Sequence, residues 1–410
     1  MRGNILVGQS GGPTAAINAS LAGVYKAAAA SGANKVYGMR FGIEGFIKGN
    51  YVDLSDCIKS DFDTELLKRT PSSYLGSCRY KMPDHRASEE VYTILFKRFN
   101  ELDIKYVFYI GGNDSMDTIK KLSAYADEIG SDIRFVGVPK TIDNDLAITD
   151  HTPGFGSAAK FIATTVKEIA RDSRVYDLES VAVVEIMGRN AGWLTAAAAL
   201  AETEEADGAD LIYLPEKAFD PDSFLTDIET LKKERKSLVI AVSEGVKTKE
   251  GKYISEGTTL EYSGGQDSFG HAALGGTAMA LSGLINKRLG IKSRGIELST
   301  LQRCASHIAS ETDINEAFAV GAAAVTRALS GETGIMITLD RISDLPYHVT
   351  TGSADITKIA NIEKCVPSEW ILDNGKLCND EIRRYISPLI QGELSPIMVN
   401  GVPGHLCIEN

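Results

Sequence analysis

Residues 106–115 read YVFYIGGNDS, and residues 135–145 read FVGVPKTIDND. Each stretch opens with a short, uninterrupted apolar run and continues directly into glycine, proline and polar residues. Such runs are typical of strands that are buried on both faces of a parallel sheet. The polar residues that follow would then lie at the carboxyl ends of their strands.

The same pattern recurs along the chain, with amphipathic or alanine-rich stretches between the apolar runs. The predicted strands are residues 5–7, 106–110, 135–138, 181–186, 211–214 and 238–242. The predicted helices are residues 14–30, 115–129, 157–169 and 222–233. Pro13 is expected in the first turn of the first helix, and Gly32 and Gly130 just past two helix ends. This alternation predicts an α/β fold of βαβ units, with mostly parallel sheets covered by helices on both faces.

The composition is that of a globular enzyme and argues against several other classes. A chain of 410 residues exceeds what one core usually serves, so two domains are expected. The net charge of -12 argues against a nucleic-acid partner, because phosphate backbones attract surplus Lys and Arg. No apolar stretch approaches the roughly 20 residues of a membrane helix. The start, MRGNILVG, lacks a long apolar leader and the cysteines form no CxxC pair, so we expect a cytoplasmic protein with reduced thiols.

Polar or glycine-rich motifs follow five of the predicted strands. They are GQSGGP (residues 8–13), GGNDS (111–115), PKTIDND (139–145), MGRN (187–190) and SEG (243–245). In open parallel sheets, ligands bind beyond the carboxyl ends of the strands. Five motifs in this position indicate a ligand site more strongly than they indicate ordinary turns.

The first motif suits an anion. Gly8, Gly11 and Gly12 would let backbone N–H groups approach a phosphate, and the helix that follows adds partial positive charge. A tight βα turn explains these glycines equally well when they are taken alone. GQSGG also fits the G-x-S-x-G pattern of hydrolases, with Ser10 as nucleophile and residue His271 or His307 as its base.

The second and third motifs combine carboxylates with a lysine. Asp114 suits a helix cap or an oxygen ligand. Lys140 and Thr141 stand beside Asp143 and Asp145, although an Asx turn would also explain Asp145. Two such carboxylates could hold Mg²⁺ and accept a proton from a substrate hydroxyl, while the lysine binds phosphate. Phosphoryl transfer needs this combination of groups.

Other patterns are less specific. Residues 154–159, GFGSAA, match GxGxxA but follow a proline-containing loop instead of a strand, which argues against a dinucleotide site. The sequence contains no Walker A pattern, which argues against a P-loop NTPase. The candidates for forked contacts to phosphate oxygens are Arg79, Arg189, Arg294 and Arg303.

The motifs GGNDS, PKTIDND, MGR, SEG and LQR (residues 301–303) together resemble the phosphofructokinase family, in order and spacing, over residues 5–340. The resemblance implies two Rossmann-like three-layer αβα domains with the active site in the cleft between them. The expected donor domain is residues 1–140 with part of 245–310. The expected sugar-phosphate domain is residues 141–245 with part of 310–345, and residues 345–410 form a C-terminal appendage.

The resemblance also implies a role for each motif residue. Asp143 would take the proton from the sugar 1-hydroxyl, assisted by Lys140, Thr141 and Asp145. The phosphoryl donor would bind at Gly11, Gly12, Arg79, Gly112, Asp114, Ser115 and Lys140. The sugar phosphate would bind at Thr141, Met187, Gly188, Arg189, Glu244, Arg294 and Arg303, of which Arg294 is usually lent by a neighbouring subunit. Mg²⁺ would be held by Asp114, Asp143 and Asp145, with Asn113 as a further candidate.

Two positions indicate which donor is used. Family members that use ATP resemble GGDGS and PGTIDND, whereas this chain has Asp114 and Lys140. A carboxylate at 114 would repel the α-phosphate of a nucleotide, and an ammonium at 140 would neutralise a compact diphosphate. We therefore expect reversible transfer from pyrophosphate to the 1-hydroxyl of fructose 6-phosphate, a step of glycolysis, in a homodimer or homotetramer.

Three departures from the family pattern accompany these expectations. Asn113 stands where the family commonly has a metal-binding Asp, Ser180 where bacterial ATP enzymes have an Arg, and Thr300 where a sugar-phosphate His is usual. Arg174 could compensate for the missing basic groups. The alternatives are ATP as donor, sedoheptulose 7-phosphate as acceptor, a serine hydrolase using Ser10, and a non-catalytic sensor of nucleotides or sugar phosphates.

Overall fold

The structure, a computed structural model, describes residues 3–203, 208–257, 275–372 and 378–408. The strands are β1 Asn4–Gln9, β2 Val36–Met39, β3 Tyr51–Asp53, β4 Ile104–Gly111, β5 Arg134–Pro139, β6 Ser180–Ile186, β7 Leu211–Tyr213, β8 Ser237–Ser243, β9 Lys292–Glu297, β10 Ile335–Asp344, β11 Tyr347–Asp355, β12 Met398–Val399 and β13 Val402–Pro403.

Helices separate most of these strands. They are α1 Ile17–Ala30, α2 Gly42–Ile47, α3 Leu54–Cys57, α4 Asp61–Arg69, α5 Glu89–Glu101, α6 Asn113–Glu128, α7 Phe155–Ser173, α8 Trp193–Ala196, α9 Pro221–Leu231, α10 Thr277–Leu289, α11 Leu301–Cys304, α12 Glu311–Leu329 and α13 Asp380–Ile386. Short 3-10 helices lie at Ala197–Ala201, Ile254–Gly257, Ser306–Ile308, Ile356–Lys358, Ser368–Trp370 and Ser387–Ile390. Among the described residues, no helix is both long and apolar enough to cross a membrane.

Two main sheets organise these elements. Over the described residues the first has seven strands in the order β11-β10-β5-β4-β1-β2-β3, with parallel central pairs that set Phe108 opposite both Val7 and Val136. The pairs β2–β3 and β10–β11 are antiparallel. The second sheet has the order β7-β8-β6-β9 and its pairs are parallel. The predicted α/β class with mostly parallel sheets is confirmed.

The central strands of the first sheet are apolar because helices cover both of their faces. Val7, Phe108 and Val136 are fully buried and pack with α1 and α12 on one face. Side chains of α5 and α6 cover the other face. Burial of each aliphatic or aromatic side chain stabilises the folded state by about 1.5–3 kcal/mol, so packing against this sheet is the main source of stability in this part of the chain.

Helices α1 and α12 cross at close range because each presents a glycine to the other. A Cβ on Gly23 would lie 2.1 Å from the carbonyl oxygen of Phe318, and a Cβ on Gly321 would lie 2.1 Å from that of Ser20. Any side chain at either position would push the helices apart. The crossing therefore fixes the position of α12 against the first sheet.

The chain divides into two compact units. The first comprises Met1–Ser157, Arg303–Glu363 and Gln391–Asn410, and the second comprises Ala158–Gln302 and Lys364–Ile390. These bounds differ from the expected ones. Residues 310–345 belong to the first unit because β10 pairs with β5, and residues 245–302 belong to the second because β9 pairs with β6.

Residues 345–410 do not form a separate appendage, because both units incorporate parts of this segment. Within the second unit, Trp370 and Tyr385 pack against Trp193, with ring centroids 6.0 and 5.1 Å away. The indole N–H of Trp193 donates to the carbonyl oxygen of Lys364 at 2.9 Å. Glu216 accepts from the backbone N–H groups of both Gly192 and Val366, at 2.8 and 3.0 Å.

The predicted strands and helices are all present, with ends shifted by a few residues. Gly32 and Gly130 follow their helices with φ of 72° and 65°, the left-handed conformation expected past a helix end. The expectation for Pro13 is wrong, because α1 begins at Ile17. Thr14 Oγ1 instead accepts from the backbone N–H of Ile17 at 2.8 Å, so residues 10–16 remain a turn.

Candidate active site

The turn after β1 is tied to the segment that carries Arg79. The backbone N–H of Gly11 donates to the carbonyl oxygen of Cys78 at 3.2 Å, and Ser77 Oγ donates to the carbonyl oxygen of Gly11 at 2.6 Å. Gly11 adopts φ of 75°, a conformation that favours glycine. The two glycine-containing turns therefore form one loop pair, which we call the donor cradle (residues 10–13 and 76–79).

Lys140 reaches the donor cradle from the end of β5. Its Nζ donates to the carbonyl oxygen of Gly12 at 2.6 Å, and the residue is 2% exposed. Burial lowers the pKa of Lys140 to about 8; Asp143 opposes that shift, and the nearby Arg303 adds to it. The structure thus places a buried cation at the glycine turn that the sequence predicts for a phosphate site.

Arg303 also lies at the donor cradle. Its Nη1 is 3.3 Å from the position that a Cβ on Gly12 would occupy. Within the described residues, its buried Nε has no hydrogen-bond partner. The first unit therefore contains Arg303 beside Gly12 and Lys140, which differs from its expected grouping with Met187 and Arg189 in the second unit. The reason is that the unit boundary falls within the LQR motif, between Gln302 and Arg303.

The turn between β4 and α6 packs against the donor cradle through two serines. Ser10 Oγ and Ser115 Oγ are hydrogen-bonded to each other. A Cβ on Gly111 would lie 1.8 Å from Ser115 Oγ, so a side chain at this position would displace Ser115. Ser115 lies in the first turn of α6, where the backbone N–H groups and the helix dipole favour an anion.

The hydrolase alternative gains no support from these contacts. Ser10 is 5% exposed and its hydroxyl is engaged with Ser115, so it is not presented as a nucleophile. His307 is exposed, in the short helix that follows α11. His271 lies outside the described residues.

The acidic loop after β5 holds its carboxylates close together. The backbone N–H of Asp143 donates to Thr141 Oγ1 at 3.1 Å, and Thr141 Oγ1 donates to Asp143 Oδ2 at 3.4 Å. Asn113 Nδ2 donates to Asp145 Oδ2 at 3.5 Å. Burial raises the pKa of Asp145 to about 7, helped by the negative charges of Asp143 and Glu363. A buried carboxyl near other negative charges favours a bound cation.

The oxygens of this loop fit a hard divalent cation. In the described part of the chain, Asp145 Oδ1 and Asn113 Oδ1 are buried and have no hydrogen-bond partner. Mg²⁺ is commonly held by one or two carboxylates together with substrate phosphates and water. The expected set of Asp114, Asp143 and Asp145 is not found, because the described residues contain no metal-binding group of three His, Cys, Asp or Glu side chains.

Asp114 lies in the first turn of α6, and the N-cap position belongs to Gly112. The simple alternative of an aspartate N-cap is therefore wrong. The side chain sits where the helix dipole favours a negative charge. This position is compatible with the expected exclusion of a nucleotide, which depends on a carboxylate being kept there.

In the second unit, the sugar motifs meet at the carboxyl ends of β6 and β8. The backbone N–H of Gly188 donates to Glu244 Oε1 at 3.4 Å, and Ser243 Oγ donates to the carbonyl oxygen of Gly188. The backbone N–H of Met187 donates to Gln302 Oε1 at 3.0 Å. A Cβ on Gly245 would lie 1.9 Å from the carbonyl oxygen of Arg189, so the two motifs touch.

Arg294 does not join this cluster within its own chain. It lies in the middle of β9, opposite Ala182, four positions before the end of β6 at Ile186. It is exposed, and β9 is an edge strand of the second sheet. The expectation that Arg294 is lent to a neighbouring subunit is consistent with this exposed position.

Two further residues named from the family pattern serve other contacts. Arg174 Nη2 binds Asp210 at 3.1 Å, so the compensating phosphate contact suggested for Arg174 gains no support. Ser180 begins β6, at the end of the strand opposite to the MGR motif, and its hydroxyl lies 3.1 Å from Ser237 Oγ. Sequence reasoning missed Gln302 and Glu363; the only signal for Gln302 was its place beside Arg303 in the LQR motif.

Comparison with known proteins agrees with the motifs. The phosphofructokinase family model matches residues 4–327. A pyrophosphate–fructose 6-phosphate 1-phosphotransferase of Halomonas elongata is 42% identical over 98% of this chain and 94% of its own length. A protein of the same name from Methylococcus capsulatus is 40% identical, over 99% and 96% of the two chains. The chain belongs to the phosphofructokinase family, and the predicted membership is confirmed.

A solved structure extends the comparison to the whole fold. The crystal structure of a pyrophosphate-dependent phosphofructokinase from Nitrosospira multiformis is similar to this chain with a TM-score of 0.88 and 38% identity. The similarity covers 99% of this chain and 96% of that protein. The likeness therefore extends beyond residue 327, where the match to the family model ends.

Proposed function

We propose that this protein transfers a phosphoryl group from pyrophosphate to the 1-hydroxyl of fructose 6-phosphate, giving fructose 1,6-bisphosphate and phosphate. The observation that carries the choice of donor is the buried contact between Lys140 Nζ and the carbonyl oxygen of Gly12. It puts a cation inside the donor cradle, where a compact diphosphate needs neutralisation. The names of the relatives from Halomonas elongata and Methylococcus capsulatus support the same donor and acceptor.

In this proposal, cations and backbone groups of the first unit bind the donor. Lys140 and Arg303 supply positive charge at the donor cradle, and Arg79 extends from its second turn. The backbone of Gly11 and Gly12 allows the phosphate to approach closely, since neither residue has a side chain. Asp114 repels the additional phosphate that a nucleotide would bring.

Asp143 is the proposed general base. Its contacts with Thr141 hold the carboxylate at the carboxyl end of β5, and a carboxylate there removes the proton as the hydroxyl attacks phosphorus. Asp145, Asn113 and Asp143 would hold Mg²⁺, which neutralises the charge of the donor phosphates when bound.

The proposed sugar site is the cluster at the ends of β6 and β8. Glu244 accepts from the Gly188 N–H, which holds its carboxylate in this cluster, and a carboxylate here suits a sugar hydroxyl. Arg189 supplies the guanidinium for the phosphate of the sugar. Met187 is fixed through Gln302, so the MGR turn is held before the sugar binds.

The decisive assay supplies the purified protein with fructose 6-phosphate and Mg²⁺, and gives pyrophosphate or ATP in parallel. Turnover with pyrophosphate is expected. Strong use of ATP with no use of pyrophosphate would overturn the choice of donor. Absence of turnover with either donor would overturn the assignment as an enzyme. Sedoheptulose 7-phosphate is run as a second acceptor, and a preference for it would overturn the choice of sugar.

The Asp143→Asn variant tests the base. Its kcat should fall by about 10²–10⁴-fold, the usual contribution of a positioned general base. The matched control is Asp132→Asn, because Asp132 is largely exposed and pairs with Lys105 at the surface. Equal rates for the two variants would remove Asp143 from the mechanism.

We also propose a homodimer or homotetramer in which Arg294 serves a neighbouring subunit. Its exposed place in the middle of an edge strand supports this proposal. Mixing the inactive Asp143→Asn and Arg294→Ala variants should restore activity, because the second variant keeps its base and receives Arg294 from the first. Hybrids that form without any recovery of activity would contradict the assignment.

A further inference from the structure

A buried ion network lies behind the acidic loop and takes no part in the functions described so far. Its centre is His151, which is 1% exposed. The ring Nδ1 lies 2.8 Å from Asp150 Oδ1, and Nε2 lies 2.6 Å from Glu316 Oε2. An imidazolium fits this position, because with Asp150 and Glu316 ionised both carboxylates accept and both ring nitrogens donate.

Groups of the β10–β11 hairpin and of α12 complete the network around His151. From the β10–β11 hairpin, Arg341 Nη2 lies 2.9 Å from Asp150 Oδ1, and the Tyr347 hydroxyl donates to Glu316 Oε1 at 2.6 Å. From α12 come Glu316 itself and Asp313. Burial alone would lower the pKa of His151, but Glu316 and Asp150 outweigh burial and raise it.

The residues that follow His151 hold the acidic loop directly. Thr152 Oγ1 donates to the carbonyl oxygen of Thr141 at 2.8 Å, and the backbone N–H of Thr152 donates to Asn144 Oδ1 at 3.1 Å. Asn144 is fully buried with φ of 54°, a conformation that needs such support outside glycine. The backbone N–H of Thr141 donates to the carbonyl oxygen of Pro153 at 3.2 Å.

A second anchor lies on the other side of these contacts. Asp313 is 1% exposed and accepts from the backbone N–H groups of Gly154 and Ser157 at 2.8 and 3.0 Å. Helix α12 thus holds residues 150–157 at two points. Glu316 binds His151, and Asp313 binds the start of α7. The stretch between these two points carries the hydrogen bonds to Thr141 and Asn144 of the acidic loop.

We propose that His151 is a positioning residue for phosphoryl transfer, which holds the Thr141–Asp145 loop in its reactive geometry by bridging Asp150 to Glu316 on α12. The proposal rests on the proposed function of that loop. The ring is buried between two carboxylates, so its effect passes through Thr152. A displacement of a catalytic group by about 1 Å can cost about 100-fold in rate, whereas it leaves binding through the other contacts largely intact.

The network responds to pH with a definite sign. The folded pKa of His151 is raised above the ordinary value of 6.5, so its stabilising contribution is complete below that value. The contribution is lost as the pH rises through the raised pKa. A neutral ring can donate only one hydrogen bond, so one of the two carboxylates loses its hydrogen bond from the ring and both lose the positive charge of the ring. The kcat should therefore fall on the alkaline side.

The experiment compares His151→Gln with His348→Gln, an exposed histidine of β11. We expect His151→Gln to lower kcat by more than about tenfold, to change the KM of each substrate by less than about threefold, and to lose the alkaline fall in kcat. The control should match the parent protein. If folded His151→Gln keeps the parent kcat and the parent pH profile, the proposal is overturned.

Two measurements keep the proposal testable if His151→Gln does not fold. Glu316→Gln removes one of the charges that stabilise the imidazolium, so its alkaline fall in kcat should move to lower pH; an unmoved profile would contradict the proposal. Nitrogen-15 NMR of labelled histidine in the parent protein should show both ring nitrogens of His151 protonated at neutral pH. A neutral ring would overturn the proposal whether or not the protein turns over pyrophosphate, which separates its failure from that of the proposed function.

Discussion

The ammonium group of Lys140 lies 2.6 Å from the carbonyl oxygen of Gly12, although the two residues follow strands that are not neighbours. Strand β4 lies between β5 and β1, so the lysine side chain crosses beyond the end of β4. Gly111 and Gly112 occupy that end, and the backbone N–H of Lys140 donates to the carbonyl oxygen of Gly111 at 3.0 Å. The backbone of the second motif thus holds the segment that carries the lysine of the third.

Replacing Lys140 by Met should raise the KM for pyrophosphate more than about tenfold, because a charge-assisted contact to an anion contributes about 1.5–3 kcal/mol. The KM for fructose 6-phosphate should change much less. Steady-state kinetics with each substrate varied in turn measure both values. Lys97→Met is the control, since Lys97 is exposed on α5, and an unchanged KM for pyrophosphate in Lys140→Met would contradict the role of the lysine.

The pH dependence of kcat/KM for pyrophosphate should report the same lysine. Burial lowers the pKa of Lys140 to about 8, so the cation is present below that pH and is lost above it. We expect kcat/KM to fall as the pH rises past about 8 in the parent protein. The pH profile of Lys140→Met with the same donor shows the effect of the ionisation of pyrophosphate itself, which can then be subtracted from the profile of the parent protein. An identical fall in that variant would mean that Lys140 does not titrate in this range.

Replacing Arg303 by Met should weaken the donor more than the sugar. Its Nη1 approaches Gly12, and its buried Nε has no partner within the described residues, so an anion at the donor cradle would satisfy it. Loss of a charge-assisted contact predicts a rise of about ten- to a hundredfold in the KM for pyrophosphate. Steady-state kinetics with each substrate varied in turn show whether the KM for pyrophosphate rises more than the KM for fructose 6-phosphate. A larger rise in the KM for fructose 6-phosphate would instead assign Arg303 to the sugar-phosphate site.

Alanine substitutions at the adjacent residues Gly111 and Gly112 should show which of the two positions has no room for a side chain. A Cβ on Gly111 would lie 1.8 Å from Ser115 Oγ, whereas one on Gly112 would lie no closer than 3.7 Å to Lys140. Overpacking typically costs about 1–3 kcal/mol, so Gly111→Ala should lower the melting temperature by several degrees and Gly112→Ala by much less. Thermal denaturation followed by circular dichroism measures both. Equal shifts would show that the turn relaxes around the new methyl group.

The central strands β1, β4, β5, β6, β7 and β8 could be predicted from the sequence because continuous apolar runs such as 106–110 and 181–186 leave few other solutions. The strands β2, β3 and β9 and the hairpin β10–β11 were missed; the second half of β10 and the start of β11 alternate in exposure, and both strands of the hairpin carry many polar residues. The bounds of the units were also wrong. Sequence order does not reveal that β10 returns to pair with β5.

The site could be predicted to the level of motifs and no further. Lys140, Thr141 and Asp143 are where the sequence indicates, because each follows the end of a predicted strand. The approach of Arg303 to Gly12 depends on where a long side chain points, and periodicity holds no information on that. His151 gave no signal at all, since its two carboxylate partners come from a neighbouring residue and from a helix 160 positions later.

The backbone passes from one compact unit to the other four times, after Ser157, Gln302, Glu363 and Ile390. No single break in the polypeptide separates one unit whole from the other. A recombination event with one crossover could therefore not exchange either unit between two members of this family. An engineer who wishes to graft a different second unit must transplant residues 158–302 and 364–390 together, and must match the joint at Gln302–Arg303, where adjacent side chains serve different motifs.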